Sequence, residues 1–361
     1  MSESFFKNIH ISNFKSLKDV TLSDCKRINL LIGKPNMGKS NILEAIGLFS
    51  LPYFKYNKSK KLTQFVRLEN LAELFFDGNT GEIITVNTDD GSFCSILYSV
   101  DNAVRIDINL ENQSPIFEFS GLFPDSNYPV INIPRPENHT IIVDGKFNIA
   151  GNYKKRDYPS PKVRYYKFPH SFISKEQDFI KVFGLIPPNG TNFFEIAQKD
   201  NIKNELSALF VEYGLSLLFD KTNNTLRIMK TLKEDNAMVS FPFSSIADTL
   251  QRVIFFKTAI ASNKNSILLF EEPEAHCFPP YIAHFTQDVL NSETNQFFIA
   301  THSPYVLNDF LEYNRNDVAI YMADFKDGQT VIYRLTDDEV NEVYDYGIDV
   351  FFNYERFTQH G

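Results

Sequence analysis

Apolar and polar positions alternate at the start of the chain. Phe6, Ile9 and Ile11 stand between polar neighbours, Phe14 and Leu17 flank Lys15 and Ser16, and Val20 and Leu22 follow. This period of two predicts two or three short strands over residues 5–32. The unbroken apolar run 28–32 predicts a strand buried on both faces. After Gly33 the spacing becomes helical, with Ile42, Leu43, Ala45 and Ile46 on one face. Residues 51–79 are less regular. From 82 to 145, apolar runs such as 82–86 and 104–108 are separated by turn signals at Asp89-Asp90-Gly91, Asp101-Asn102 and Asp144-Gly145, predicting an antiparallel region. The stretch 146–192 is the least regular, with one strand at 163–168. Residues 192–213 read as one helix stopped by Gly214, and a hairpin follows over 215–219 and 226–229. Buried strands are predicted at 266–270 and 296–300, and closing strands at 318–322 and 330–334. No heptad pattern is sustained between 60 and 240, so no long coiled-coil arm is expected.

The break between the strand at 28–32 and its helix carries chemistry. Gly33, Lys34, Pro35, Asn36, Met37, Gly38, Lys39 and Ser40 fit the pattern G-x-x-x-x-G-K-[ST], and Asn41 follows. A backbone that wraps a phosphate chain must come close to it and turn several N–H groups inward, which suits glycine at 33 and 38. Lys39 can reach the outer phosphates. Ser40 opens the helix, where its hydroxyl can ligate Mg²⁺ and the free N–H groups favour the anion. Residues 33–41 are therefore the candidate nucleotide-binding set, with ATP and Mg²⁺ as the expected cofactors. Near the other end, the strand at 266–270 runs into Glu271-Glu272-Pro273-Glu274, and carboxylates at the C-terminal end of such a strand lie beside the phosphate loop in a doubly wound sheet.

Charge and cysteine content narrow the class. The formal net charge is −9, which argues against a chain whose whole surface grips nucleic acid. Two local basic stretches leave that partner open. Lys55, Lys58, Lys60, Lys61 and Arg67 surround aromatics, and Lys154, Lys155, Arg156, Lys162, Arg164 and Lys167 interleave with tyrosines; each also reads as an ordinary solvated connection. The three cysteines are isolated, which excludes a disulfide framework or a C-x-x-C metal site. The N-terminus lacks a signal-peptide pattern and no apolar run is long enough to span a membrane, so a soluble, cytoplasmic protein is expected. With 35 Phe, 17 Tyr and no Trp, the aromatic content is read as core filling.

Asn13-Phe14-Lys15-Ser16-Leu17, the loop at 33–40 and Asn41-Ile42-Leu43-Glu44-Ala45-Ile46 together resemble the N-terminal half of an ABC-type ATPase head of the RecF-like and OLD-like kind. The resemblance covers residues 1–50 and 240–335 well. It implies that Glu271 holds the Mg²⁺ shell, that Glu272 polarises the water attacking the γ-phosphate, and that His302, after the strand at 296–300, contacts that phosphate. It makes Gln64 the nearest candidate for the glutamine such heads place near Mg²⁺. It also assigns the segment 242–252 to the signature, with Ser245 capping the nucleotide of an opposing subunit although no glycine is present. Most such heads carry Asp where Glu271 stands.

The expected fold is α/β, a P-loop NTPase doubly wound sheet of ABC-ATPase type with an antiparallel β subdomain and a helical insertion. The N-terminal half of the head is expected over 1–60, the insertion over 61–240 and the C-terminal half over 241–361. The resemblance implies a homodimer or higher homo-oligomer that sandwiches ATP between heads, hydrolysing it as a conformational switch in defence against phage and mobile DNA or in DNA repair. A separate effector protein is expected, because the stretch after Ser303 is too short for the TOPRIM nuclease domain of OLD-type proteins. A nucleotide-gated scaffold with little turnover is the alternative. No membrane partner is expected.

Overall fold

The computed structural model describes residues 5–99, 101–110, 139–150, 161–169, 184–232 and 237–358. The first strands are β1 (Ile9–Phe14), β2 (Leu17–Leu22) and β3 (Ile28–Ile32), followed by helix α1 (Lys39–Gly47). Short 3-10 turns fill 48–78 and lead to β4 (Ile84–Thr88), β5 (Phe93–Ser99), β6 (Ala103–Asn109), β7 (His139–Val143), β8 (Ile149–Ala150) and β9 (Val163–Tyr166). Then come α2 (Phe193–Ala197), α3 (Asp200–Val211), β10 (Leu215–Asp220), β11 (Thr225–Thr231) and β12 (Met238–Pro242). The last third holds α4 (Asp248–Ala261), β13 (Ile267–Glu271), α5 (Pro279–Asn291), β14 (Gln296–Ala300), α6 (Pro304–Asn314), β15 (Val318–Lys326), β16 (Gln329–Arg334) and α7 (Asp337–Asp345).

One sheet organises the rest. Its order is β16-β15-β3-β14-β13-β9, parallel throughout except for β16, which runs antiparallel to β15. A parallel sheet is covered on both faces, so its strands read as continuous apolar runs. Every residue of β3 and β14 is buried accordingly. Successive side chains leave a strand on opposite faces, and two cores result. Ile267 and Leu269 of β13 pack with α1 and the antiparallel strands, whereas Leu268 and Phe270 pack with α4, α5 and α6. Phenylalanine fills the second core: the rings of Phe256, Phe270 and Phe285 meet edge to face at 5.4, 5.6 and 5.9 Å.

The antiparallel region forms a seven-stranded sheet of order β2-β1-β4-β5-β6-β7-β8, and β10, β11 and β12 form a separate three-stranded sheet. The sheets do not follow the sequence sections at 60 and 240. β1 and β2 from the first section pair into the antiparallel sheet, and β9 from the middle section is the edge strand of the parallel sheet, with Tyr166 opposite Phe270. The single helix expected over 192–213 is two, because Lys199 is extended (φ −62, ψ 130) and α3 starts afresh at Asp200. Among the described residues no helix is long and apolar enough to cross a membrane, and the longest has 14 residues.

The free side of β9 is finished by a side chain. The Ser50 hydroxyl accepts from the Tyr165 N–H and donates to the Val163 carbonyl, both at 2.9 Å, so one residue stands in for a neighbouring strand.

Register fixes where the strands end. Ala300 of β14 pairs with both Leu31 of β3 and Glu271 of β13, so the chain leaves all three strands at one edge. Gly33 then turns beside β15, where a Cβ would collide with the Ala323 carbonyl oxygen; close approach to the neighbouring strand is the reason for glycine at this position. Gly33→Ala is expected to destabilise the chain by about 1–3 kcal/mol, measured by urea unfolding. An unchanged midpoint would show that β15 yields to the methyl group.

Candidate functional site

The loop after β3 ends at Gly38, whose left-handed backbone (φ 90) precedes α1 and whose missing side chain makes room for Thr330 Oγ1. Asn36 is also left-handed (φ 64). The first-turn N–H groups of α1 have no partner inside the helix, leaving them for an anion. The loop opens into a cavity of about 1370 Å³ at the sheet edge. Pro35, Asn36, Met37, Gly38, Lys39, Ser40 and Asn41 line it, together with Gln64, Glu271, Glu272 and His302. Residues separated by more than 260 positions thus share one cleft.

Three expected binding residues lie elsewhere. The backbone of Gly33 supports the loop from below, its carbonyl accepting from the Lys39 ammonium at 2.6 Å. Lys34 places its ammonium over the Tyr354 ring, 5.0 Å from the centroid. Ser245 is exposed on a 3-10 turn before α4, outside the cavity, and the N-cap of α4 is Ala247, which gives the helix no side-chain hydrogen bond.

Lys39 is buried, and burial pushes its ammonium down to about 8 even though Glu272, Glu271 and Glu274 oppose the shift. It donates to the carbonyls of Gly33 and, at 2.9 Å, Lys34. The Ser40 hydroxyl donates to Glu271 Oε1. Burial would raise the Glu271 carboxyl, but Arg67, Ser40 and Lys167 together hold it below the ordinary carboxylate range. Gln64 Oε1 is buried without a hydrogen-bond partner among the described residues. A hydroxyl, a charged carboxylate and an unused amide oxygen are the hard oxygen donors that Mg²⁺ takes beside phosphate, so this set fits the ion. Among the described residues no group of three or more His, Cys, Asp or Glu side chains is placed to hold a metal.

Glu272 is held in the left-handed region (φ 43), a sparsely populated conformation for a non-glycine residue, and its N–H is fixed by the Ala300 carbonyl at 2.9 Å. Its carboxylate is 3.4 Å from His302 Nε2. Burial, then Lys39, depress the His302 imidazole below its usual value while Glu272 opposes, which favours the neutral ring. Glu274, named in the sequence only as part of the acidic run, orients the histidine loop: its Oε1 accepts from Thr301 Oγ1 at 2.7 Å and from the His302 N–H at 2.9 Å.

A second group of residues was not assigned to the site from sequence. Glu44 on α1 is completely buried and accepts from Lys15 at 2.5 Å and from Arg67 Nε at 2.9 Å, with Lys167 at 3.6 Å. Arg67 continues to Glu271 at 2.8 Å, and the buried Tyr165 hydroxyl donates to Glu271 Oε2 at 3.1 Å. Arg67 and Lys167, which composition grouped with candidate nucleic-acid surfaces, are committed to these carboxylates. Lys55 lies over the Tyr56 ring at 4.7 Å, and Lys154, Lys155 and Arg156 lie outside the described residues. The signal for this network was Glu44 itself, a carboxylate amid Leu43, Ala45 and Ile46, since a charge on an apolar helix demands a partner.

The parallel sheet, the phosphate loop and the acidic pair at its edge define an ABC-type P-loop ATPase head. The chain belongs to the family described as "AAA domain, putative AbiEii toxin, Type IV TA system", which matches residues 28–308. A protein of Helicobacter pylori named ATP/GTP phosphatase is 23% identical over 366 residues, covering 92% of this chain and 93% of that one. The DNA replication and repair protein RecF of Caldanaerobacter subterraneus is 40% identical over 62 residues, which is 17% of each chain. A solved SMC head bound to the C-winged helix domain of ScpA covers 93% of this chain and 99% of that one, at 15% identity and a TM-score of 0.48.

The position of Lys39 has a pH signature. Its charged form attracts phosphate and is lost as pH rises through about 8. Affinity for ATP, measured by calorimetry between pH 7 and 9.5, is expected to weaken above pH 8 by up to about tenfold per unit. A flat profile would mean that the amine does not hold the phosphates.

Proposed function

We propose that the chain binds Mg·ATP in the cleft and hydrolyses it as a dimerising conformational switch. The observation that carries this reading is the convergence of Lys39, Ser40, Glu271, Glu272 and His302 on one cavity at the sheet edge. Lys39 and the first-turn N–H groups of α1 hold the phosphates, and Ser40, Glu271 and Gln64 hold Mg²⁺. When bound, Mg²⁺ neutralises charge on the β- and γ-phosphates. Glu272, half-exposed and facing the cavity, orients the attacking water and accepts its proton. His302, neutral and beside Glu272, donates to the γ-phosphate and senses whether it is present.

Ser245 and the start of α4 lie outside the cavity, where an opposing copy could meet them, which supports a homodimer with ATP between the heads. The family description names a toxin of a type IV system and one relative is named for DNA replication and repair. We therefore place the switch in defence against phage or mobile DNA, or in DNA repair, working in the cytoplasm through a separate effector protein. A nucleotide-gated scaffold is favoured by one feature: the segment before α4 has no glycine and its N-cap offers no side-chain hydrogen bond.

Turnover and mass in solution, with and without ATP, separate the two. Glu272→Gln is expected to lower kcat by about 10²–10⁴-fold and to accumulate as an ATP-bound dimer. Equal, negligible turnover in both proteins, with assembly on ATP, would establish the scaffold.

A further inference from the structure

Glu271 does not wait for Mg²⁺ with an empty carboxylate. Its Oε1 already accepts from two groups, the Ser40 hydroxyl and the Arg67 guanidinium at 2.8 Å. Ser40 and Glu271 are the pair that would share the ion, so a cation now stands where another must come. We infer that Arg67 is the resident counter-ion of the nucleotide-free site, and that Mg²⁺ arriving with nucleotide takes its place on Glu271. This rests on the reading of the cleft as a Mg·ATP site.

The geometry lets Arg67 leave one carboxylate and keep the other. Its Nε and its backbone N–H are both on Glu44 Oε1, at 2.9 and 3.1 Å, and only the outer nitrogen reaches Glu271. The side chain is 58% exposed, so it has room to swing. Two positive charges competing for one carboxylate repel each other at short range, and the divalent ion has the stronger claim.

The displacement has a route outward. Arg67 follows a 3-10 turn, Leu62–Gln64, that brings Gln64, whose Oε1 has no hydrogen-bond partner among the described residues, to the same cavity. The near end of this segment is stitched to the β7–β8 hairpin: Leu62 donates to the Phe147 carbonyl at 3.0 Å and Ile149 donates to the Lys60 carbonyl at 2.8 Å. Exchange of cations at Glu271 therefore pulls on the seven-stranded sheet through residues 60–67.

The test titrates a fluorescent ATP analogue into the full chain at a series of free Mg²⁺ concentrations. In Arg67→Gln the Mg²⁺ concentration that half-maximally strengthens nucleotide binding is expected to fall about fivefold, since the competing ion pair is gone. An unmoved or higher midpoint overturns the exchange. Amide hydrogen exchange on the native chain guards against a variant that folds poorly. Mg·ATP, but not ATP with EDTA, is expected to alter exchange at 60–67 and 147–149, and identical patterns also overturn the proposal. Binding of the analogue in EDTA and its loss in Lys39→Ala test the cleft separately. If the native chain binds no nucleotide, the site reading fails and takes the exchange with it; if binding depends on Lys39 and the midpoint stays, only the exchange fails.

Discussion

A carboxylate with no access to water has to be neutralised, and Glu44 makes that requirement the organising fact of the site. It sits on the helix that follows the phosphate loop, and its cations come from the β1–β2 turn, from the stretch just after the 3-10 turn at 62–64 and from the end of β9. Removing one partner of a buried ion pair costs roughly 3–5 kcal/mol, because the other charge is left in a poor solvent. Lys15, Arg67 and Lys167 are therefore bound to α1 by electrostatic necessity. Two of the three are anchored a second time by carbonyls, Lys15 on that of Arg67 at 2.6 Å and Lys167 on that of Phe65 at 2.8 Å. Three segments with no sequence proximity are thus positioned around the same loop.

Electrostatics at the sheet edge follow from this arrangement. Glu271 is held below the ordinary carboxylate range by two of the cations that neutralise Glu44, Arg67 and Lys167, together with the Ser40 hydroxyl, so it is charged although it is largely buried. Glu274 has the opposite environment. Burial raises its carboxyl, while it serves as an acceptor for the Thr301 hydroxyl and the His302 N–H. Neighbouring glutamates are driven to different tasks by what surrounds them, and Glu272 between them is left facing the cavity.

The phosphate loop, the acidic pair and His302 were legible in the sequence because each is a local event, a buried strand that ends in a polar turn. Glu271 comes beside Ala300 through the parallel pairing of β13 with β14, which the sequence implied only as a doubly wound sheet. Arg67 and Tyr165 were not legible as site residues. Their partner Glu271 is far along the chain: the topology that sets β9 against β13 introduces Tyr165, and the ion pair with Glu44 on α1 introduces Arg67. The strand at 163–168 was anticipated, but its membership of the parallel sheet was hidden by the irregular residues around it. Ser245 marks another limit: expected at the nucleotide, it is exposed on a 3-10 turn outside the cavity of its own chain. The break at Lys199 escaped notice because no glycine or proline marks it between Phe193 and Val211.

The topology also bears on how the protein is made. β3 lies at the middle of its sheet, yet both of its partners are synthesised near the end; Asn29 and the Phe297 carbonyl it bonds are 268 residues apart. At roughly 5–20 residues per second on the ribosome, the apolar strand beside the phosphate loop waits roughly 13–50 seconds for its neighbours. Until β14 emerges, the nascent chain has an unpaired, water-averse strand for chaperones to shield. A chain interrupted before that point carries the whole phosphate-loop sequence and has no phosphate loop.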